Sequence, residues 1–104
     1  MSNLIRLSLT TALLIGISAP SAFAGMCEGT VHGLSRHYNP ATGAGFLAVR
    51  AGPKASASQI GELFNGDRVE IFDRKGGWYR LASESDSSID GWASVKWVRA
   101  NCGW

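Results

Sequence analysis

The 104 residues of the chain, 45% of them hydrophobic and 17% charged, leave room for a single domain. The formal net charge is only +2, because lysine and arginine nearly balance aspartate and glutamate. This balance does not support binding through a basic face, and no nucleic-acid partner is expected.

The first 24 residues predict a cleaved secretory signal. Arg6 is followed by a mostly apolar run over residues 7–19, and residues 22–24 (AFA) form the small-x-small pattern after which a signal peptidase cuts. The run is shorter than the roughly 20 apolar residues of a membrane-spanning helix. We therefore expect the mature chain to start near Gly25, to be soluble without stable membrane insertion, and to be periplasmic or secreted.

The two cysteines predict a disulfide. A mature chain of about 80 residues has a small core, and such domains often need a covalent crosslink. Cys27 and Cys102 lie near its opposite ends, and an even pair in an exported protein is typical of a disulfide. The alternatives are less favoured. A lipid anchor on Cys27 requires a small residue where Met26 stands. A reactive thiol or a metal pair is disfavoured because neither histidine lies at ligand spacing from a cysteine.

Beyond Gly25 the sequence shows short alternating runs separated by glycine-rich turns, and helical periodicity is absent. The predicted strands cover residues 30–35, 46–50, 59–64, 68–72, 78–81 and 91–93, with a closing segment over 98–100. A short 3₁₀ turn is predicted over residues 94–97, and loops over residues 38–45, 51–58 and 82–88. Five to six short antiparallel strands predict an all-β fold, a small closed barrel without exposed sheet edges.

The large aromatic residues divide between the core and the surface of this predicted barrel. Phe72 and Tyr79 are expected in the core, because rings supply much of the buried area in small domains. After the glycine turn at residues 76–77, Trp78 and Arg80 share the strand face opposite Leu81. Trp78 is therefore predicted to lie at least partly outside the core.

Five short motifs follow one another in a fixed order: Leu47-x-Val49-Arg50-x-Gly52-Pro53, Ile60-Gly61, Gly66-x-x-Val69, Gly77-Trp78-x-x-Leu81 and Gly91-Trp92. Their order and spacing resemble the bacterial SH3 (SH3b) domain family over roughly residues 46–98. The resemblance implies an SH3-like barrel that serves as a binding module. In one departure, Ala48 stands where the family usually has asparagine.

The expected domain layout has three parts. A signal peptide covers residues 1–24, an N-terminal strand and loop cover residues 25–45, and an SH3b-like barrel covers residues 46–104. The disulfide between Cys27 and Cys102 is expected to close the barrel. The segment before residue 46 is longer than the family motif requires, so the resemblance assigns it no role.

No residue pattern in the chain is typical of an enzyme, and neither a metal nor another cofactor is expected. His32 and His37 are predicted surface residues, and no serine lies in a Gly-x-Ser-x-Gly elbow. The acidic residues Glu84, Asp86 and Asp90 cluster near a polar hairpin tip, where carboxylates are usually solvated. We therefore expect a non-catalytic protein.

The surface aromatics carry the functional prediction. An exposed tryptophan beside an arginine is typical of binding hot spots. The resemblance implies that a cell-wall (peptidoglycan) peptide lies in a groove walled by Trp78 and Trp92, with Tyr38 contributing from the preceding loop. Arg50 or Arg80 would bind a carboxylate of the peptide. An equally open interpretation of the two tryptophans is that they only cap the ends of the barrel.

The alternative function is a protein–protein module, either a periplasmic adaptor or an inhibitor of another exported protein. A free-standing domain closed by a disulfide suits this class. The loops over residues 38–45 or 51–58 would then contact the partner, which would be another envelope protein.

Overall fold

The computed structural model of the protein describes residues 27–102. The predicted secretory signal over residues 1–24 lies outside the described residues. The elements are β1 (Cys27–Val31), β2 (Leu47–Arg50), β3 (Gln59–Leu63), β4 (Arg68–Lys75), β5 (Trp78–Ser83), β6 (Asp90–Ser94), a 3₁₀ turn (Val95–Trp97) and β7 (Val98–Ala100). Within residues 27–102 no helix is long and apolar enough to cross a membrane.

The strands pair antiparallel in one sheet of order β3-β2-β6-β5-β4-β1-β7. One hydrophobic core receives a side chain from every strand, and its buried members are Val31, Leu47, Val49, Leu63, Val69, Ile71, Tyr79, Leu81, Ala93 and Val98. Because Leu63 of the first strand in this order and Val98 of the last share the core, the sheet curls on itself. The predicted all-β barrel is confirmed, with seven strands among the described residues.

The first strand covers Cys27–Val31 and so begins earlier than the predicted residue 30. It lies between β4 and β7, where Gly29 pairs with Val69 on one side and Ala100 on the other. A Cβ atom at Gly29 would lie 2.8 Å from Cγ1 of Val98, so the packing requires glycine here. Glycine is depleted in strands, which is why the sequence pattern alone starts the strand too late.

Phe72 does not belong to the core, so that prediction is wrong, whereas Tyr79 is buried as predicted. The register of β4 against β5 shifts between Ile71 and Asp73, which makes Phe72 the extra residue of a β-bulge. Since Ile71 faces the core, Phe72 follows it on the outer face, where 38% of its surface is exposed.

The join between β2 and β6 holds the sheet together at a single pair of residues, Arg50 and Trp92. In the sheet order this is the only ladder that connects the β2–β3 hairpin to the other described strands. The neighbouring Gly91 lies so close to β2 that a Cβ atom there would be 2.5 Å from the carbonyl oxygen of Arg50. The two strands can meet only because residue 91 has no side chain.

The predicted disulfide between Cys27 and Cys102 is confirmed. The two Cα atoms are 5.0 Å apart, within the usual range for a disulfide, across a sequence separation of 75. The bond links Cys102, which follows β7, to the first residue of β1. Cys27 is itself paired with Ile71 of β4, so this link is attached to the sheet.

Substitution Gly91→Ala is expected to destabilise the fold by about 1–3 kcal/mol, because the added methyl group must displace backbone of β2. Urea unfolding followed by tryptophan fluorescence measures the free energy of unfolding. Gly77→Ala is the matched control, since nothing lies within 4 Å of a Cβ atom at that position. Equal destabilisation by the two substitutions would contradict the role assigned to Gly91.

Removal of the disulfide by Cys27→Ala with Cys102→Ala is expected to lower the free energy of unfolding by up to about 4 kcal/mol. The unfolded chain regains the conformational entropy that the closed loop had removed. Thermal unfolding followed by circular dichroism tests this, with and without reductant. Reductant should lower the melting temperature of the wild type and leave that of the double variant unchanged. Identical melting temperatures of the oxidised wild type and the double variant would refute the expectation.

Candidate functional site

A groove of about 340 Å³ lies beside β2 at one end of the barrel. Ala48 and Arg50, the half-buried outward residues of β2, form its floor. Pro40 and Gly43 line one side, and Trp78 lines the other together with Ser94 and Trp97. Arg50, which pairs with Trp92 of β6, thus belongs both to the β2–β6 contact and to the groove.

The wall that contains Pro40 and Gly43 is a tight turn over residues 39–44. The backbone N–H of Asn39 donates to the carbonyl oxygen of Ala44 at 2.8 Å, and the carbonyl oxygen of Asn39 accepts from the N–H groups of residues 42–44. Gly45 leaves the turn at φ +85°, and a Cβ atom there would lie 2.6 Å from Cα of Tyr38. These contacts fix the turn against the start of β2.

Two tryptophans form the opposite wall. Trp78 is half-buried on the outer face of β5, where it pairs with Lys75 on β4 and with Ser94 on β6. Trp97 ends the 3₁₀ turn, which Ser94 caps by accepting a hydrogen bond from the N–H of Lys96. The ammonium group of Lys96 lies 5.0 Å from the centre of the Trp97 ring.

Four of the five residues predicted to bind a ligand share one face. Arg50, Trp92 and Arg80 are paired neighbours on β2, β6 and β5, and paired residues of antiparallel strands point to the same side of the sheet. Trp78 lies one row further along the same face of β5. Of these four residues, Arg50 and Trp78 line the groove, whereas Arg80 and Trp92 lie beside it.

Tyr38, the fifth predicted residue, lies outside the groove lining. Its hydroxyl group donates to Oε1 of Glu62 at 2.9 Å, and its ring packs against those of Phe46 and Phe64 at 5.6 and 6.0 Å. Tyr38 remains 53% exposed and Phe64 43% exposed. These three rings form an aromatic cluster that adjoins the groove through Phe46, which lines it.

Both predicted carboxylate-binding arginines have partners within the chain. Nε and Nη2 of Arg80 donate to Oδ1 of Asp90 at 3.2 and 3.1 Å. Nη1 of Arg50 donates to the carbonyl oxygen of Ala57 at 3.0 Å and so holds the loop between β2 and β3. Because a guanidinium group has five N–H donors, Arg50 retains others that can reach a ligand.

Trp97 lines the groove but is absent from the residues that the sequence predicts for binding. The predicted 3₁₀ turn over residues 94–97 could have indicated that Trp97 lies beside the groove. That turn directly follows Ser94, an outward residue of β6 that caps it, and Trp97 is its last residue. The side of the groove formed by Pro40 and Gly43 has no comparable signal, because only tertiary packing brings their turn to β2.

The acidic residues near the hairpin between β5 and β6 are engaged in local contacts. Among residues 27–102, no group of three or more His, Cys, Asp or Glu side chains is placed to hold a metal ion. In the acidic hairpin tip, Glu84 pairs with Arg68, and Asp86 accepts hydrogen bonds from Ser88 that lower the pKa of its carboxyl group. The remaining acid of this region, Asp90, is the partner of Arg80.

Residues 45–99, more than half of the chain, match the bacterial SH3 domain family. The chain belongs to this family. Comparison with curated proteins finds no match. The SH3b domain is a bacterial SH3-type binding module, and the matched region contains the floor of the groove and its tryptophans. The turn over residues 39–44 precedes that region, so this wall comes from a segment that the family match does not cover.

The pKa of Tyr38 in the SH3b domain is raised above its ordinary value of 10.0, because its hydroxyl group donates to the Glu62 carboxylate, with smaller effects of burial and of the negative charge. The neutral phenol is thus favoured in the folded state. The stabilisation from this contact is fully present below pH 10 and is lost as the pH rises through the raised pKa. We expect Glu62→Gln to move the titration of Tyr38 to lower pH.

Nuclear magnetic resonance of the tyrosine ring carbons follows this titration residue by residue. The control is Glu70→Gln, which removes an exposed carboxylate on β4 and should leave the titration of Tyr38 unchanged. The same midpoint for Tyr38 in the wild type and in Glu62→Gln would show that the hydrogen bond does not persist in solution.

Proposed function

We propose that this SH3b domain is an exported, non-catalytic module that binds cell-wall (peptidoglycan) peptides in the groove beside Trp78. The groove itself carries the proposal. Its volume of about 340 Å³ lies at the small end of the range for ligand sites and suits a short peptide segment. Its lining combines aromatic rings, small residues and one arginine, which together fit a peptide backbone with short side chains.

The outward residues of β2 support an extended peptide as the ligand. Ala48 and Arg50 are half-buried and both line the groove, whereas Val49 between them is fully buried. A peptide that lies along β2 would contact these alternate positions, which is typical of the recognition of extended segments.

The aromatic wall supports a binding role for Trp78. It is half-buried rather than sealed in the core, and Trp97 lies beyond Ser94 on the same side. Large rings at the centre of a concave site contribute most of the affinity in many complexes. The proposed ligand would bury the remaining exposed part of both indole rings.

Export and the absence of catalysis are further parts of the proposal. The signal pattern of residues 1–24 and the disulfide between Cys27 and Cys102 support a location in the periplasm or outside the cell, where disulfides persist. Bacterial SH3 domains are generally binding modules, which supports a non-catalytic role.

Retention of the purified domain on peptidoglycan sacculi tests the proposal. We expect saturable binding that Trp78→Ala weakens roughly 30-fold, the effect of losing a side chain that contributes about 2 kcal/mol. The matched control is Phe72→Ala, which removes another exposed ring of the same sheet outside the groove and should bind as the wild type does. Circular dichroism verifies that both variants are folded. The absence of retention, or full retention of Trp78→Ala, would refute the proposal.

A protein partner is the second candidate function, and the aromatic cluster favours it. Tyr38 and Phe64 expose about half of their surface next to each other, and neither of them lines the groove. An adaptor or an inhibitor of another envelope protein would use this cluster. In an envelope extract the domain should then form a stoichiometric complex with its partner, which Phe64→Ser disrupts and Trp78→Ala leaves intact. The domain should not be retained on sacculi.

A further inference from the structure

Two lysines flank the tryptophan wall of the groove. Lys75 pairs with Trp78 across β4 and β5, so its side chain leaves the sheet on the outer face. Lys96 lies in the 3₁₀ turn between the groove residues Ser94 and Trp97. Both side chains are exposed, and neither lines the groove itself, so the two lysines lie at its border, next to Trp78 and Trp97.

The ammonium groups of these lysines rest on indole rings rather than on carboxylates. Nζ of Lys75 lies 5.7 Å from the centre of the Trp92 ring, and Nζ of Lys96 lies 5.0 Å from that of Trp97. A cation over an indole ring is held in place but keeps its three N–H donors for other partners. Neither lysine has an ion pair within residues 27–102.

Arg80 differs in this respect. Its charge is balanced by Asp90 at 3.1 Å, so an incoming carboxylate would have to displace a partner that is already bound. Arg50 also has no ion pair within residues 27–102, but its Nη1 donates to the carbonyl oxygen of Ala57, which holds the side chain at the floor of the groove. None of the described residues that line the groove is acidic. The groove is thus bordered by positive charge that the chain itself leaves unpaired.

We infer that the groove selects peptides that carry a free carboxylate, and that Lys75 and Lys96 bind this group. The inference rests on the proposed function and narrows its ligand class. It also changes the assignment made from the sequence, in which Arg50 or Arg80 binds the carboxylate. The indole rings position the two ammonium groups. The negative charge of the ligand is then attracted to the positive charge of these lysines at the border of the groove.

The test uses two pools of soluble peptides, one released from purified sacculi by an amidase and the other the same pool after chemical amidation of its carboxylates. Binding is measured by calorimetry at low and at moderate salt. We expect the untreated pool to bind about tenfold more tightly to the wild type than to the variant with Lys75→Gln and Lys96→Gln, as for the loss of two exposed ion pairs. Added salt should weaken the binding of the wild type and have little effect on that of the variant.

The control substitution is Arg99→Gln, which removes an exposed cation without an ion pair from β7, outside the groove. It should bind both pools as the wild type does. Equal affinity of the wild type for the untreated and the amidated pools would overturn the inference and leave the proposed function standing. Equal affinity of the wild type and the double lysine variant for the untreated pool would do the same. Failure of both pools to bind would overturn the proposed function together with the inference.

Discussion

The close approach of Gly91 to the carbonyl oxygen of Arg50 is the constraint on which the rest of the structure depends. At this point the β2–β3 hairpin joins the remaining described strands, and it does so through one pair of residues. A side chain at residue 91 would meet the backbone of β2 and force the two strands apart. The close contact therefore holds the β2–β3 hairpin, and with it the groove residues Ala48 and Arg50, against the rest of the sheet.

The groove combines parts that differ in origin. Its floor and its two tryptophans belong to the region that matches the bacterial SH3 domain family, whereas Pro40 and Gly43 come from the segment before it. That segment is not an appendage to the barrel. Its strand β1 lies between β4 and β7, and the disulfide fixes its first described residue to the end of the chain. A rigidly anchored segment can hold the turn over residues 39–44 in one position, which a flexible extension could not.

Some charged side chains on the outer face have a polar partner within the described chain, and others do not. Arg80 and Asp90 neutralise each other, and Arg50 stabilises the loop that follows β2. The two lysines lie over indole rings and have no ion pair among the described residues. A small domain with almost no net charge can therefore still present a locally positive surface. Its binding properties depend on which charges are paired, and the overall composition does not show this.

The sequence by itself determined the class of fold, the disulfide and the outward position of Trp78, because strand alternation, glycine turns and the cysteine pair are local or compositional signals. Tertiary structure decided which outward residues meet. The fold of the turn at residues 39–44 brings Tyr38 to Glu62, so that Tyr38 does not line the groove. Phe72 is a different case, because alternation after the inward Ile71 already places it on the outer face, although composition assigns its ring to the core. The tertiary structure also pairs Arg80 of β5 with Asp90 of the neighbouring strand β6. The physical reason is that alternation fixes the face of a side chain, whereas its neighbours depend on strand order, register shifts and loop packing between residues far apart in the chain.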